Sequence, residues 1–319
     1  MLQQTQVKTV LPYFKKWVNK YPAVQSVANA TQEQILKQWE GLGYYSRARN
    51  FHKACQIITL KFHGDIPPDL KKFSKLPGVG PYISAAVMSI AFHHPLPAID
   101  TNAIRVASRL KMIKFFSPID SKIIHRYFSD CIAIKRPGDF NQAIMDLGRE
   151  ICTAANPKCT ICPVSMFCKA LVDNSVDKYP VKIKPPKKPH YNIAVGIVWN
   201  KGKILISKRK ENGLLGGLWE FPGGKIEEGE IAENCIIREI KEELGVHVRP
   251  TSFLKQIKHA YTHFSITMVA YSCDFLHGSP QPLGCDDWQW IKPGEIKRLP
   301  FPRANHKLFD QIIVKEGAC

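Results

Sequence analysis

Cys152-Thr-Ala-Ala-Asn-Pro-Lys-Cys159-Thr-Ile-Cys162-Pro-Val-Ser-Met-Phe-Cys168 sets four cysteines into 17 positions, spaced C-x6-C-x2-C-x5-C. Thiols at this density either bind metal or pair as disulfides. A chain of 319 residues that is 45% apolar buries real cores and needs no disulfide staples. Metal in a reducing compartment is therefore the reading carried forward. Four thiolates satisfy tetrahedral zinc, yet zinc ribbons usually part their two pairs by roughly 15–20 residues. A cubane iron–sulfur cluster is larger and can be wrapped by one short loop.

Outward from this stretch, charge is unevenly placed. Residues 1–190 hold 28 basic and 12 acidic side chains, a balance of +16, whereas residues 191–319 hold 17 and 15. A basic half of this size is the footprint of a polyanion-binding surface, because Lys and Arg on phosphates release condensed counterions. Charge added only for solubility predicts no such asymmetry. No apolar run reaches the roughly 18 residues that span a bilayer, and Met1-Leu-Gln-Gln-Thr-Gln-Val7 shows no secretory pattern.

Two domains are expected. Thr31-Gln-Glu-Gln34 is a capping box opening a periodic run through Ile35, Leu36 and Trp39, and helical spacing recurs over 54–60, 81–92, 103–113 and 140–151. Tyr179-Pro-Val-Lys-Ile-Lys-Pro-Pro-Lys-Lys-Pro189 is too rich in proline for a helix and too rich in lysine to collapse, so it reads as a linker. Beyond it the period changes. Strands are expected over 191–199 and 203–209, around the turn Asn200-Lys-Gly202, and over 253–258 and 262–275. Helices are expected over 230–244 and 303–315. The expected boundaries are an all-α domain over 1–178, a linker over 179–190 and an α+β domain over 191–319.

Between two helical stretches lies Leu76-Pro-Gly-Val-Gly80. Its glycines permit a tight turn whose N–H groups face outward at a helix N-terminus, which suits a backbone phosphate. Twenty residues on, Asp100 precedes a helical stretch and reads as an N-cap as well as a candidate anion. Hairpin, aspartate and cysteine spacing together resemble the endonuclease III superfamily of helix-hairpin-helix DNA glycosylases. That resemblance implies a structural [4Fe-4S] cluster on Cys152, Cys159, Cys162 and Cys168, phosphate contacts at Gly78 and Gly80, and Asp100 as the catalytic aspartate. Strand-cleaving members place a lysine two residues after the hairpin; here that position is Tyr82, so no imine forms there and a monofunctional glycosylase is expected.

Further residues resemble one branch, the MutY-type adenine glycosylases. Met1-Leu-Gln-Gln-Thr-Gln6 looks like that family's opening active-site helix, which places Gln4 and Thr5 as wedges in the base stack. Gly41-Leu-Gly-Tyr-Tyr-Ser-Arg47 looks like its second intrusion loop, with Leu42 and Tyr44 on DNA. Phe140-Asn-Gln-Ala143 resembles the segment at the target adenine, so Tyr82, Asn102 and Gln142 are expected to line the base pocket. The resemblance implies duplex DNA with adenine opposite 8-oxoguanine or guanine as substrate, a monomer, and work in the cytoplasm on the nucleoid. Adenine leaves deoxyribose well only when protonated, while the sugar gains oxocarbenium character; a general acid and a nearby anion are needed. The family's acid is a glutamate two residues ahead of Met-Leu-Gln-Gln, and this sequence starts at that Met. A truncated reading frame is expected, one that a stop codon immediately upstream of Met1 would refute, and without the acid excision is expected to be severely impaired.

Residues 224–246 match the Nudix box G-x5-E-x7-R-E-U-x-E-E-x-G-U throughout, at Gly224, Glu230, Arg238, Glu239, Glu242, Glu243 and Gly245. On a helix Glu239, Glu242 and Glu243 fall at i, i+3 and i+4, a face suited to Mg²⁺, while Glu230 and Arg238 are expected to pair. MutY proteins carry a Nudix-like domain that reads 8-oxoguanine, and Tyr261-Thr262-His263 resembles the loop inserted beside that base. The intact box adds a second expectation, hydrolysis of an oxidised nucleoside triphosphate with Mg²⁺. Two other classes stay open: a catalytically silent lesion binder, and a phosphohydrolase tethered to DNA.

Overall fold

The computed structural model describes residues 1–3, 5–115, 117–181 and 187–316, the last three as backbone. Gln4, linker residues 182–186 and Cys319 lie outside the described residues. Two compact units emerge: Met1–Thr59 together with Lys187–Cys319, and Leu60–Pro186. The break at Pro186–Lys187 falls inside the expected linker, but the first helices pack with the C-terminal half rather than with the other helices.

Helices α1 (Val7–Lys20), α2 (Val24–Ala28), α3 (Gln32–Trp39) and α4 (Tyr45–Phe62) open the chain. The capping box forms as read: Thr31 Oγ1 accepts from Gln34 N at 3.2 Å, and Gln34 Oε1 accepts from Thr31 N at 3.0 Å. Ile35, Leu36 and Trp39 are the buried face of α3 and share a core with Trp17 and with Leu218. Residues 1–3, 5 and 6, expected in a helix, are not helical. Arg47 donates to the carbonyls of Met1 (2.9 Å) and Gln3, and to Thr5 Oγ1 (3.2 Å), so carbonyls that a helix would use are already taken.

The second unit holds α5 (Leu70–Phe73), α6 (Pro81–Phe92), α7 (Thr101–Lys111), α8 (Pro118–Cys131), α9 (Pro137–Asp146) and α10 (Lys169–Val172). A π-helical turn over Leu147–Ile151 continues α9, and two 3₁₀ turns, Cys159–Ile161 and Ser165–Phe167, carry the cysteine stretch. No described helix is long and apolar enough to cross a membrane.

The first unit resumes as a seven-stranded mixed sheet: β1 (His190–Asn200), β2 (Lys203–Lys208), β3 (Trp219–Glu220), β4 (Gly223–Lys225), β5 (His247–Ala260), β6 (Ser265–His277) and β7 (Asp287–Ile291). The order is β3-β2-β1-β6-β5, with β4 on β1 and β7 on β2; β1 and β6 run parallel, the other pairs antiparallel. Alternation along β1 feeds two cores. Val195 and Ile197 join Trp219, Phe221 and α12 (Phe309–Glu316), while Ala194 and Val198 pack with Ile236 and Ile240 of α11 (Ala232–Leu244). Trp288 and Trp290 lie on one side of β7 against the α11 core, as their alternation suggests.

Glu40 ties the opening helices to the sheet half of this unit. Its Oε1 accepts from Phe301 N (2.8 Å) and His306 Nε2 (2.9 Å), and its Oε2 from Lys37 Nζ (2.7 Å). Burial pushes the Glu40 carboxyl up, but the bonds from His306, Lys37 and Phe301 outweigh it and hold the group below the usual carboxylate range. Glu40→Ala is expected to cost about 2–3 kcal/mol in urea unfolding at neutral pH. A depressed folded value stabilises above the unfolded value and is lost as pH falls through the folded one, so the gap between parent and variant should close on acidification.

Candidate functional site

Asp100 is the N-cap of α7. Its Oδ1 accepts from Ala103 N at 2.7 Å and its Oδ2 from Asn102 Nδ2 at 3.0 Å. Burial, and then the charge of Asp100, push the phenol of Tyr82 on α6 up, and its hydroxyl donates to Met145 Sδ at 3.6 Å. The hairpin ahead of α6 turns at Gly78, with φ of +77°, and closes with Val79 N donating to Leu76 O at 3.1 Å. Gly80 caps α6 and Pro81 starts it, which leaves the free N–H groups of the first turn next to the hairpin.

Gln142 is exposed, with its amide on Gly138 O at 3.4 Å; no described contact joins it to Asp100. Its neighbour Asn141, not singled out in the sequence, is buried. Its Oδ1 accepts from Ala98 N (2.9 Å), and its Nδ2 donates to Ser89 Oγ (2.8 Å) and Leu96 O (2.9 Å). That side chain fixes the extended segment delivering Asp100. A polar residue inside an apolar period was the available signal.

Arg105 connects the aspartate's turn to the cysteine stretch. It donates to Asn102 Oδ1 (2.9 Å), to Cys152 O (2.7 Å) and to Gly148 O in the π turn. A Cβ on Gly148 would lie 2.6 Å from Asn102 Cβ. Gly148→Ala should therefore displace the first turn of α7 and slow adenine release about 10²-fold while the protein stays folded, measured by single-turnover kinetics beside circular dichroism.

The four cysteines come together. They line one cavity of about 30 Å³ whose other walls include Val106, Leu110 and Leu147, and no carboxylate is among its described lining residues. Burial, then the neighbouring thiols, push Cys159 and Cys168 up. Arg109, only 3% exposed, donates to Cys152 Sγ at 3.3 Å and otherwise to the carbonyls of Thr153, Val176 and Tyr179. Soft thiols, apolar walls and a buried guanidinium make an anionic iron–sulfur cluster fit better than a hard cation. Among the described residues no group of three or more His, Cys, Asp or Glu is arranged to hold a single metal ion.

In the first unit, Thr5 is held by Arg47, Leu42 is 6% exposed inside the helical core, and Tyr44 sits at φ +49° with Arg47 over its ring. The Tyr44 and His263 rings meet edge-on at 5.7 Å, so the 41–47 loop and the 261–263 loop share one surface. Thr262 and His263 are exposed, whereas Tyr261 turns inward and stacks on Phe264 at 4.6 Å.

That Tyr261 lines a second cavity, of about 470 Å³, with Glu220, Glu239 and Glu243 on its acidic side. Glu239 packs so closely on Gly224 that any Cβ there would collide with its carboxylate. Burial, then the charges of Glu220 and Glu239, push Glu243 up to about 8. Glu242 is exposed and pairs with Arg238, outside the cavity. Arg238 grips Glu230 through both oxygens at 2.9 Å, as expected, and holds that carboxyl down at about 2. Glu220, the last residue of β3, joins the acidic side although it lies outside the box.

Residues 1–126 match the HhH-GPD superfamily base excision DNA repair protein model, and residues 194–311 match the NUDIX domain model. The adenine DNA glycosylase of Buchnera aphidicola subsp. Acyrthosiphon pisum is 32% identical over 98% of this chain and 88% of that protein. The chain belongs to the adenine DNA glycosylase family. Other members include the Arabidopsis thaliana protein, 33% identical over 82% of this chain and 49% of that one, and the rat protein, 29% identical over 97% and 69%. Among solved structures, a trapped endonuclease III–DNA covalent intermediate aligns with 54% of this chain and 81% of that one, at 26% identity and a TM-score of 0.49. Both matched domain types are thus present here, the helical one followed by four clustered cysteines and the Nudix one with its box whole.

Proposed function

We propose that the protein is a monofunctional DNA glycosylase that removes adenine paired with 8-oxoguanine or guanine. The observation that carries this reading is the cap of α7, where Asp100 is fixed through both carboxyl oxygens, by Ala103 N and by Asn102 Nδ2. Flipped adenine enters this polar, half-buried site. Asp100 stabilises the positive charge that grows on the sugar as the N-glycosidic bond breaks. Tyr82 supplies no amine, so the abasic strand is left uncut. The proton that adenine needs is assigned to none of the carboxylates described here.

A [4Fe-4S] cluster is assigned to Cys152, Cys159, Cys162 and Cys168; bound there, it would brace the loop as a structural group. Arg109 balances the thiolate charge, and Arg105 carries the position of that loop to Asn102 and Asp100. Mg²⁺ is assigned to Glu239 and Glu243. Its habit of using one or two carboxylates and completing its shell with water and substrate phosphates suits a cavity that does not preform a full ligand set.

His263, exposed and against Tyr44, is the reader of 8-oxoguanine. His263→Ala should weaken binding to an adenine:8-oxoguanine duplex by about tenfold, roughly 1.4 kcal/mol, while binding to an adenine:thymine duplex barely changes. Equal losses on both duplexes would remove the reader role. Fluorescence anisotropy at one fixed salt concentration measures both.

A further inference from the structure

We propose that Lys255, Lys258, Arg303 and Lys307 form a phosphate-gripping surface that holds the duplex backbone beside the 261–263 loop, an inference that rests on the reading of this chain as a DNA glycosylase.

Charge over residues 191–319 is nearly balanced, 17 basic side chains against 15 acidic. Three of the arginines there are answered by carboxylates: Arg209 by Glu220, Arg238 by Glu230 and Arg249 by Asp274. The four cations of the proposed surface break that pattern. All are exposed, and among the described residues none is ion-paired. They are also gathered. Lys255 Nζ donates to Lys307 O and Lys307 Nζ donates to Lys258 O, each at 3.2 Å, so β5 and the 3₁₀ turn Asn305–Leu308 interlock through their lysines. Arg303 stands one turn ahead of Lys307, where Asn305 N donates to Pro302 O at 2.9 Å. Burial, then the charges of Lys307 and Arg303, hold the His259 imidazole below its usual value, so both cations act on the strand that carries Lys258. Like charges gathered without a carboxylate repel, and an anion among them relieves the repulsion.

A plainer role accounts for only half of this group. β5 ends the sheet and pairs with β6 alone, and lysines on an edge strand discourage pairing with another chain. That explains Lys255 and Lys258. Arg303 and Lys307 come from a different segment and guard no edge.

Position favours the backbone of the duplex as the anion. Lys258 lies two residues, about 7 Å, before the end of the strand that leads into the 261–263 loop. The His259 ring meets Tyr261 of that loop edge-on at 4.6 Å, and Tyr261, Pro302 and Asn305 line one cavity, so the segment of Arg303 and Lys307 borders the loop as well. Phosphates flank any base that the exposed His263 touches. Contacts to them fix where the loop stands and carry no sequence information, while His263 does the reading.

The test is fluorescence anisotropy of the full protein on adenine:8-oxoguanine and adenine:thymine duplexes over a series of salt concentrations. Lys258→Gln combined with Arg303→Gln removes two cations whose side chains make no described hydrogen bond, so the melting temperature should hold. Each phosphate contact adds about 0.9 to the slope of log K against log salt, so the double variant should flatten that slope by about 1.8. Affinity should fall at least tenfold at low salt, by the same factor on both duplexes, unlike the selective loss expected of His263→Ala. Lys258→Arg keeps the charge and should keep the slope. Should the double variant melt early, each single variant takes its place, with a flattening of about 0.9. A slope as steep as the parent's overturns the proposal and leaves the surface to an acidic protein partner or to guarding the edge. A loss confined to the 8-oxoguanine duplex overturns it too, because the phosphates of the two duplexes are alike. A parent protein that binds neither duplex sinks the glycosylase reading, and this proposal with it.

Discussion

Replacing Asp100 by asparagine is expected to slow adenine release about 10³-fold or more, with little change in thermal stability. Asparagine keeps a side-chain oxygen for Ala103 N and caps α7 nearly as well as aspartate, so the first turn should stay formed. What disappears is the negative charge facing the sugar as it becomes cationic. The bond from Asn102 to Oδ2 also orients that charge, and an amide there presents either a donor or an uncharged acceptor. Chromatography of freed adenine under single turnover, beside a melting curve, separates the two effects. A variant within tenfold of the parent would mean that the transition state is not stabilised by this carboxylate.

The second large effect is expected at the cysteines. Cys159→Ala should lower bound iron, remove absorbance in the visible blue and leave adenine release near background. Between Cys152 and Val172 the described backbone has two single 3₁₀ turns and a four-residue helix, and Ala170 is its one buried apolar residue outside the cysteines' surroundings. So little buried area cannot hold such a segment by itself, so most of its stability would come from the group it wraps, as in small metal-folded domains. Because Arg105 reaches from Cys152 O to Asn102, loosening the segment also loosens the turn that holds Asp100. Iron content per chain and limited proteolysis in the 152–168 stretch check this; a colourless variant that is still resistant and active would contradict it.

What the sequence made legible is chemistry packed into one loop or one helix. The C-x6-C-x2-C-x5-C run, the Leu76–Gly80 hairpin and the Nudix box are local in sequence, so residue intervals gather the four cysteines and bring Glu239 and Glu243 to one cavity, although Glu242 stays outside it. The capping box at Thr31 and the Glu230–Arg238 pair were readable for the same reason. Long-range choices were not. Nothing in the period of α3 tells that its buried face meets Leu218, or that Glu40 meets His306 across 266 positions. Glu220 joins Glu243 only because β3 and α11 bring distant residues to one cavity. The resemblance also implied a helix at the start of the chain, where the Arg47 guanidinium takes the carbonyls of Met1 and Gln3 that a helix would need.

The measurement that bears most directly on the central claim is incubation of the full protein, in excess, with a duplex carrying a single adenine opposite 8-oxoguanine. Free adenine should appear, slowly because no described carboxylate supplies its proton, the strand should break only after alkali, and the same duplex with thymine opposite adenine should stay intact. Adenine that stays attached in the 8-oxoguanine duplex, or that leaves both duplexes at the same rate, would contradict the reading of this chain as a lesion-directed adenine glycosylase.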